Sequence, residues 1–204
     1  MSVTIRCGLV LTIALLGIAA AHAAPCPDIY SCALDARWPK SNPLVSDSGF
    51  VRVITIRVIP SQSVDAEEYV VLRVKENGGA AVEYARPNGD SLFQQIRRLS
   101  SPTSDPAEIS KRLEIRSASF SANREIRKLI AAFSSLSVRA ELSSRLYLDA
   151  TRYDFTEDTP MTQLAMVLYD DSSVPKGSAA VNWMKSVVRA CRAAAPSGRN
   201  EGTR

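Results

Sequence analysis

The sequence predicts an α+β fold: a mostly antiparallel sheet with an amphipathic helix at about 122–136 and a C-terminal helix at about 178–192 packed on it. Three observations support this class. Runs rich in β-branched residues at 50–59 and 68–74 indicate strands. The sequence Asn-Gly-Gly at 77–79 indicates a tight antiparallel connection. Apolar residues recur at helical spacing in both predicted helices.

The first 23 residues are expected to be a secretory signal peptide. Arg6 supplies the positive charge, residues 9–21 form the apolar run, and Ala21-His22-Ala23 is typical of a signal-peptidase site. We expect cleavage after Ala23 and a mature protein in the periplasm or outside the cell. The apolar run is shorter than the ~20 residues that a membrane-spanning helix needs, so a retained anchor is the weaker interpretation.

Residues 24–49 are predicted to form an extended N-terminal strap that carries Cys26 and Cys32, because Pro, Ser and Asn interrupt any regular pattern. Trp38 is expected to fill a groove on the core. Pro25 stands directly before Cys26, where bacterial lipoproteins have a small residue. We therefore do not expect lipidation of that cysteine.

A single α+β domain is predicted over residues 50–192, and it begins with three strands. The strand at 50–59 has β-branched residues on both sides and is expected to be covered on both faces. Residues 68–74 and 80–85 are expected to form a hairpin across the Asn-Gly-Gly turn.

The middle of the domain is predicted to contain helical segments and a strand. Ser91 and Gln94 form a capping box for a helix at 92–99. We expect a helical turn over 106–112 and a strand at 113–120 after it.

The end of the domain is predicted to contain a helix, a second hairpin, a strand and a closing helix before a disordered tail. The helix is expected at about 122–136 with Ser121 as its cap, and the hairpin pairs 145–148 with 152–155. The strand is expected at 162–169, the closing helix at about 178–192 and the disordered tail at 193–204.

The sequence "LYLDATRYDF", an alternating strand after it, and "AVNWMKSVVRAC" resemble the closing segment of many small uncharacterised periplasmic bacterial proteins. In those proteins a hairpin of the type Leu-Asp-Gly-x-x-Tyr precedes a strand and a last helix that contains a Trp. The resemblance covers about residues 145–192, and Ala150 stands where the glycine is often found. It implies a similar local fold and no activity.

Three cysteines, Cys26, Cys32 and Cys191, would remain after export, and an oxidising compartment favours at least one disulfide. We expect a bond from Cys191, on the apolar side of the last helix, to Cys32 or Cys26, because it would hold the strap against the domain. Closing so long a loop contributes about 4–5 kcal/mol in the chain-entropy model. The alternative is a local bond between Cys26 and Cys32, which leaves Cys191 as a buried free thiol.

The chain carries 25 basic and 21 acidic residues, and loss of Arg6 would leave the net charge one unit below +4. A pI near 9.0 favours anionic partners, while export argues against nucleic acid. The expected partner is another protein or an anionic envelope polymer. Arg124, Arg127 and Lys128, on the polar side of the 122–136 helix, are the candidate face for such a partner.

No catalytic residue and no cofactor is predicted. Signal cleavage would remove His22, the only histidine in the sequence. The mature chain would then lack the base of a Ser-His-Asp or Cys-His site and the usual ligand of catalytic zinc. The sequence also contains no phosphate-binding glycine loop.

Five carboxylates flank the predicted strand at 162–169 and are weak candidates for a calcium site or for glycan hydrolysis. They are Asp154, Glu157, Asp158, Asp170 and Asp171. Their spacing is not that of a calcium-binding loop, so solvated loop acids are the default interpretation.

We therefore expect an exported, non-enzymatic protein of the bacterial envelope that binds a macromolecule, of the inhibitor, immunity or accessory type. The absence of a convincing catalytic set motivates this preference. A carboxylate-dependent hydrolase of an envelope glycan is the first alternative, and a structural component of the envelope is the second.

Overall fold

The structure, a computed structural model, describes residues 28–44, 49–61, 66–101, 103–136, 150–170 and 178–196. This part of the chain contains five helices and a six-stranded antiparallel sheet, which confirms the α+β class. The strands are β1 (Phe50–Ile59), β2 (Glu68–Lys75), β3 (Ala80–Pro87), β4 (Ile115–Ser121), β5 (Thr151–Asp158) and β6 (Gln163–Asp170). The helices are α1 (Ile29–Arg37), α2 (Leu92–Leu99), α3 (Pro106–Arg112), α4 (Arg124–Phe133) and α5 (Ala179–Ala194).

The sheet has the strand order β4-β3-β2-β1-β5-β6, and every neighbouring pair is antiparallel. Six consecutive residues of β1, 53–58, are buried. Because side chains alternate between the two faces of a strand, burial of all six requires cover on both faces. The prediction of a doubly covered strand at 50–59 is confirmed.

Helices cover both faces of the sheet and form two cores. Ile54 and Ile56 of β1 belong to the core that α4 and α5 complete, and we call this side the α4–α5 face. Val53 of β1 and Val71 of β2 belong to the other core, which α1, α2 and α3 complete; this is the α1–α3 face. The predicted packing of two amphipathic helices on the sheet is confirmed by the first core.

The predicted extended strap is wrong for residues 29–37, which form α1. Asp28 caps this helix by accepting a hydrogen bond from the backbone N–H of Ser31 at 2.7 Å. Only Ala33 and Leu34 of α1 are buried. A nine-residue helix with so short an apolar face is stabilised by its tertiary contacts with α2 and α3, and these contacts are not visible in the local sequence.

After α1 the chain has no regular structure up to residue 44. Trp38 is buried in this segment, and its ring stacks on that of Tyr69 with the centroids 5.5 Å apart. The expectation that Trp38 fills a groove on the core is confirmed.

The first predicted hairpin is confirmed and the second is wrong. β2 and β3 are joined across the Asn-Gly-Gly turn, where Gly78 has a φ of 76° that glycine adopts without strain. In the second case both edges of β5 are occupied, because Arg152 lies opposite Ile59 of β1 and opposite Tyr169 of β6. Residues 145–148 lie outside the described residues, and 152–155 have no free edge left for them.

Three helix boundaries differ from the prediction, and one of them is the end of α4, which lies at Phe133 rather than at about 136. Asn123 rather than Ser121 caps α4, accepting a hydrogen bond from the backbone N–H of Ile126 at 2.9 Å. Ser121 is the last residue of β4. α5 continues to Ala194, two residues into the predicted tail, and 197–204 lie outside the described residues.

Candidate functional site

A cleft on the α4–α5 face lies between the C-terminal half of α5 and the ends of four strands. It has a volume of about 450 Å³. Four basic side chains and one carboxylate contribute its charge: Arg86, Lys185, Arg189, Arg192 and Glu68. The excess of positive charge in a concave surface distinguishes this cleft from the exposed basic residues on α4.

A smaller chamber of about 170 Å³ adjoins the cleft toward β4. Arg86 and Arg192 line both chambers, so the two are neighbours, and Arg116 adds a third guanidinium to the smaller one. None of the described residues that line the smaller chamber is a carboxylate. We call the two chambers together the basic groove.

Glu68 holds Arg192 in a fixed orientation over the groove. Arg192 Nε donates to Glu68 Oε1 at 2.9 Å and Nη2 donates to Oε2 at 2.5 Å. Glu68, at the start of β2, is 5% exposed, and the hydroxyl of Tyr84 donates a further hydrogen bond to it. The hydrogen bonds to Glu68 raise the pKa of Arg192 above its usual value. Two of the five guanidinium N–H groups are thus engaged, and the side chain remains 55% exposed.

Arg86 and Arg116 lie directly opposite each other on β3 and β4. Both side chains are exposed, and Arg116 Nη2 donates to the side-chain oxygen of Asn88 at 3.3 Å. Within the described residues no carboxylate lies within ion-pair distance of either guanidinium. Like charges directly opposite each other across a sheet are destabilising, and an anion between them would remove that repulsion.

Lys185 and Arg189 lie one turn apart on α5 and complete the basic lining. Lys185 Nζ lies 2.5 Å from Asp170 Oδ2 at the end of β6. Arg192, in the last turn of α5, offsets the negative end of the helix dipole, which is equivalent to about half a charge. The partial negative charge of the helix end is smaller than the summed positive charge of the basic residues that line the groove. The net charge of the groove is therefore positive.

Two buried tyrosines supply neutral hydroxyl groups beside the groove. Burial, together with the nearby carboxylates of Asp170 and Glu68, raises the pKa of Tyr153 to about 12. Burial and the hydrogen bond to Glu68 raise the pKa of Tyr84 as well. At neutral pH both hydroxyls are therefore protonated and act as hydrogen-bond donors rather than bases.

Asp154, one of the predicted site acids, is a structural partner of a buried arginine on the α1–α3 face. Arg57 is 2% exposed, and its Nη2 and Nε donate to Asp154 Oδ2 at 2.5 and 3.1 Å. The same guanidinium donates to Asp35 of α1 at 2.5 Å and to the carbonyl of Trp38 at 2.8 Å. This network anchors α1 and the segment after it to the sheet.

The other predicted acids are not brought together. Glu157 pairs with Arg52 at 2.5 Å, Asp158 accepts a hydrogen bond from the backbone N–H of Leu44, and Asp170 pairs with Lys185. Asp171 lies outside the described residues. Across the described ranges no three His, Cys, Asp or Glu side chains gather in an arrangement that could hold a metal ion.

The predicted disulfide of Cys191 with Cys32 or Cys26 is wrong. Cys191 is a free thiol, fully buried in the core of the α4–α5 face. Cys32 lies in α1, which packs on the opposite face of the sheet, so the two cannot meet. Burial, with a contribution from Glu68, raises the pKa of Cys191 to about 12. Cys26 lies outside the described residues, and the local bond between Cys26 and Cys32 stays a prediction.

Arg124, Arg127 and Lys128, the face predicted to meet an anionic partner, are all exposed on α4. They lie on the exposed side of the helix, away from its buried residues Ile126 and Ile130. None of them lines the basic groove.

The charged residues of the basic groove were missed by the sequence interpretation because they come from four separate elements, β2, β3, β4 and α5. One signal was available: Lys185, Arg189 and Arg192 recur at helical spacing on the closing helix and form a basic stripe. The strand residues Arg86 and Arg116 carry no such signal, since only the β3–β4 register places them together.

Comparison of the chain with protein-family models, curated proteins and solved structures finds no match. Among the helices in the described ranges, none has both the length and the apolar character needed to cross a membrane.

Proposed function

We propose that this protein is exported to the bacterial envelope and binds an anionic polymer there, without catalysis, through the basic groove. The observation that carries the proposal is the charge of the groove: five basic side chains line it, and one carboxylate, Glu68, does so. Concave surfaces lined by one sign of charge concentrate the opposite sign and speed its association.

The repulsion between Arg86 and Arg116 supports a binding role more strongly than the cations of α5 do. Two of these cations have a second explanation, because Arg192 in the last turn of α5 stabilises the helix end and Lys185 pairs with Asp170. Arg86 and Arg116 face each other across a sheet, where the fold gains nothing from two like charges. An anionic ligand bound between the two guanidinium groups would offset their repulsion, and this would explain why both are present.

Export is part of the proposal and rests on the signal-peptide pattern of residues 1–23. In that compartment the anionic macromolecules are envelope polymers and acidic protein surfaces. The groove favours a polymer over a folded protein, because its charge lies in a cleft that an extended chain enters and a flat protein surface does not.

Binding assays with matched variants test the proposal. The protein purified without residues 1–23 would be titrated calorimetrically with polyphosphate, with a carboxylated polysaccharide, and with dextran as the neutral control. We expect binding to at least one anionic polymer, no binding to dextran, and affinity that falls as salt rises, because polyanion binding releases counterions.

The variant pair Arg86→Gln with Arg189→Gln removes two charges from the groove, and Arg124→Gln with Lys128→Gln removes two from the exposed side of α4. We expect the first pair to weaken polymer binding about tenfold and the second less than about twofold. Equal losses in the two pairs, or no binding to either polyanion, would contradict the proposal.

A further inference from the structure

Three guanidinium groups from three different elements line the smaller chamber of the basic groove. Arg86 comes from β3, Arg116 from β4 and Arg192 from α5. Tyr84 and Ser117 also line it and carry hydroxyl groups. At about 170 Å³ the chamber is smaller than the roughly 300–1,000 Å³ of a site for a whole drug-sized ligand. Its size suits a compact charged group.

The number and the geometry of these donors favour one kind of anion. A guanidinium presents N–H groups in a planar fork, and one fork satisfies both oxygens of a carboxylate. Three forks around one chamber match a tetrahedral group with three outer oxygens. A phosphate ester of a single alcohol also carries a charge of about −1.5 to −2 at neutral pH, which suits a chamber whose described lining has no carboxylate.

The side chain of Arg192 is preorganised for such a ligand. Its two hydrogen bonds to the buried Glu68, at 2.9 and 2.5 Å, fix the plane of the guanidinium. The remaining N–H groups are left for a second partner. A side chain ordered in advance loses less conformational entropy on binding, which strengthens binding.

The larger chamber adjoins the smaller one at Arg86 and Arg192 and combines apolar with charged lining residues. Besides its charged residues it is lined by Val58, Pro60 and Val188, and by the ring of Tyr153. Its volume of about 450 Å³ lies in the range of sites for organic ligands. It can hold the organic unit to which the charged group is attached.

We infer that the basic groove selects phosphoryl groups: the phosphoryl group is bound among Arg86, Arg116 and Arg192, and the organic unit that carries it occupies the larger chamber. This inference rests on the proposed function and specifies the anionic group of the polymer. Two groups of a polymer could supply the phosphoryl group. A pendant monoester has three outer oxygens and a charge of about −1.5 to −2, which the three guanidinium groups match fully, whereas a phosphodiester within a backbone has two outer oxygens and a single charge.

Small ligands of matched size separate phosphoryl selectivity from general attraction of anions. The probes are glycerol phosphate as the monoester, dimethyl phosphate as the diester, inorganic phosphate, and glycerate as the carboxylate. We expect glycerol phosphate to bind at least about tenfold more tightly than glycerate. If glycerol phosphate binds more tightly than dimethyl phosphate, the polymer's phosphoryl group is a pendant monoester, and the reverse ranking indicates a backbone diester. If inorganic phosphate binds as tightly as glycerol phosphate, the larger chamber does not hold the organic unit.

Variants at Arg116 test the placement, because this residue lines the smaller chamber and not the larger one. Arg116→Gln is expected to weaken glycerol phosphate binding about tenfold. Arg116→Lys keeps the charge but lacks the fork, and we expect it to lose about half of that effect on a logarithmic scale. Arg124→Gln, on the exposed side of α4, is the control and should leave the affinity unchanged. Circular dichroism checks that each variant is folded, and the Lys variant serves if the Gln variant is not.

The outcomes distinguish this inference from the proposed function. If carboxylated and phosphorylated polymers bind equally, and Arg116→Gln has no effect on glycerol phosphate, the groove is a general anion site and the phosphoryl inference is wrong. If neither polymer binds, the proposed function fails with it. Tight, Arg116-dependent binding of glycerol phosphate with weak binding of glycerate supports both.

Discussion

The carboxylate of Glu68 and the guanidinium of Arg192 form a two-bonded ion pair that joins the start of β2 to the end of α5. The carboxylate is buried and the guanidinium is half exposed. The pair therefore has two roles. It stabilises the packing of the closing helix on the sheet, and it orients the guanidinium of Arg192 in the basic groove.

Replacing Glu68 by Gln tests the first of these roles. Gln keeps the shape but removes the charge, and hydrogen bonds to charged groups contribute about 1.5–3 kcal/mol. Because Arg192 can be hydrated once released, we expect a loss near the lower end, about 1.5 kcal/mol in the free energy of unfolding measured in urea. Glu76→Gln, in the exposed turn between β2 and β3, is the control. A loss no greater than that of the control would show that the pair does not stabilise the fold.

Replacing Asp154 by Asn should be more damaging, because it leaves Arg57 buried beside an uncharged partner. Removing one member of a buried ion pair costs about 3–5 kcal/mol. Arg57 keeps its contacts with Asp35 and the Trp38 carbonyl, so we expect about 3 kcal/mol. The double variant Arg57→Met with Asp154→Leu should be more stable than Asp154→Asn, since it leaves no buried guanidinium that has lost one of its two carboxylate partners. Urea unfolding of the three proteins measures this, and a single variant as stable as the wild type would refute the structural role.

The thiol of Cys191 should be unreactive in the folded protein. Burial raises its pKa to about 12, and the thiolate is the reactive form. With residues 1–23 removed and Cys26 bonded to Cys32, we expect no reaction with Ellman's reagent at pH 8 and one reactive thiol per chain after unfolding in guanidinium. Finding no thiol after unfolding would mean that Cys191 is disulfide-bonded.

Stability should decline in acid partly through Asp35. Partial burial acts to raise the pKa of this carboxyl, but hydrogen bonds from Arg57 and Lys40 outweigh it and lower the pKa below the ordinary 3.8. A depressed folded pKa means that the stabilisation is complete above the unfolded value and is lost as pH falls through the folded value. We therefore expect the melting temperature of the wild type to fall more steeply below about pH 4 than that of Asp35→Asn. Parallel curves would show that Asp35 contributes nothing to acid sensitivity.

The strands and helices with periodic patterns could be predicted from the sequence because the spacing of their apolar residues indicates which positions are buried. β1 has branched side chains on both faces, and α5 repeats apolar residues at helical spacing. The helix α1 could not be predicted in this way, since only two of its residues are buried and its stability comes from α2 and α3.

The pairing of Cys191 could not be predicted because it depends on which face of the sheet each helix covers. Apolar spacing places Cys191 on the buried side of α5 and says nothing of the sheet between α5 and α1. The basic groove was hidden for a related reason, since Glu68, Arg86, Arg116 and Arg192 meet only through strand register and helix packing.

Nuclear magnetic resonance shows directly whether an added phosphate ester binds in the basic groove. In a ¹H–¹⁵N spectrum recorded at the arginine Nε–H frequencies, glycerol phosphate would be titrated into the protein without residues 1–23. We predict that the signals of Arg86, Arg116 and Arg192, assigned by single substitution, shift together along one saturating curve. Shifts confined to Arg124 and Arg127, or no saturable shift at any arginine, would show that the basic groove does not bind the phosphate ester.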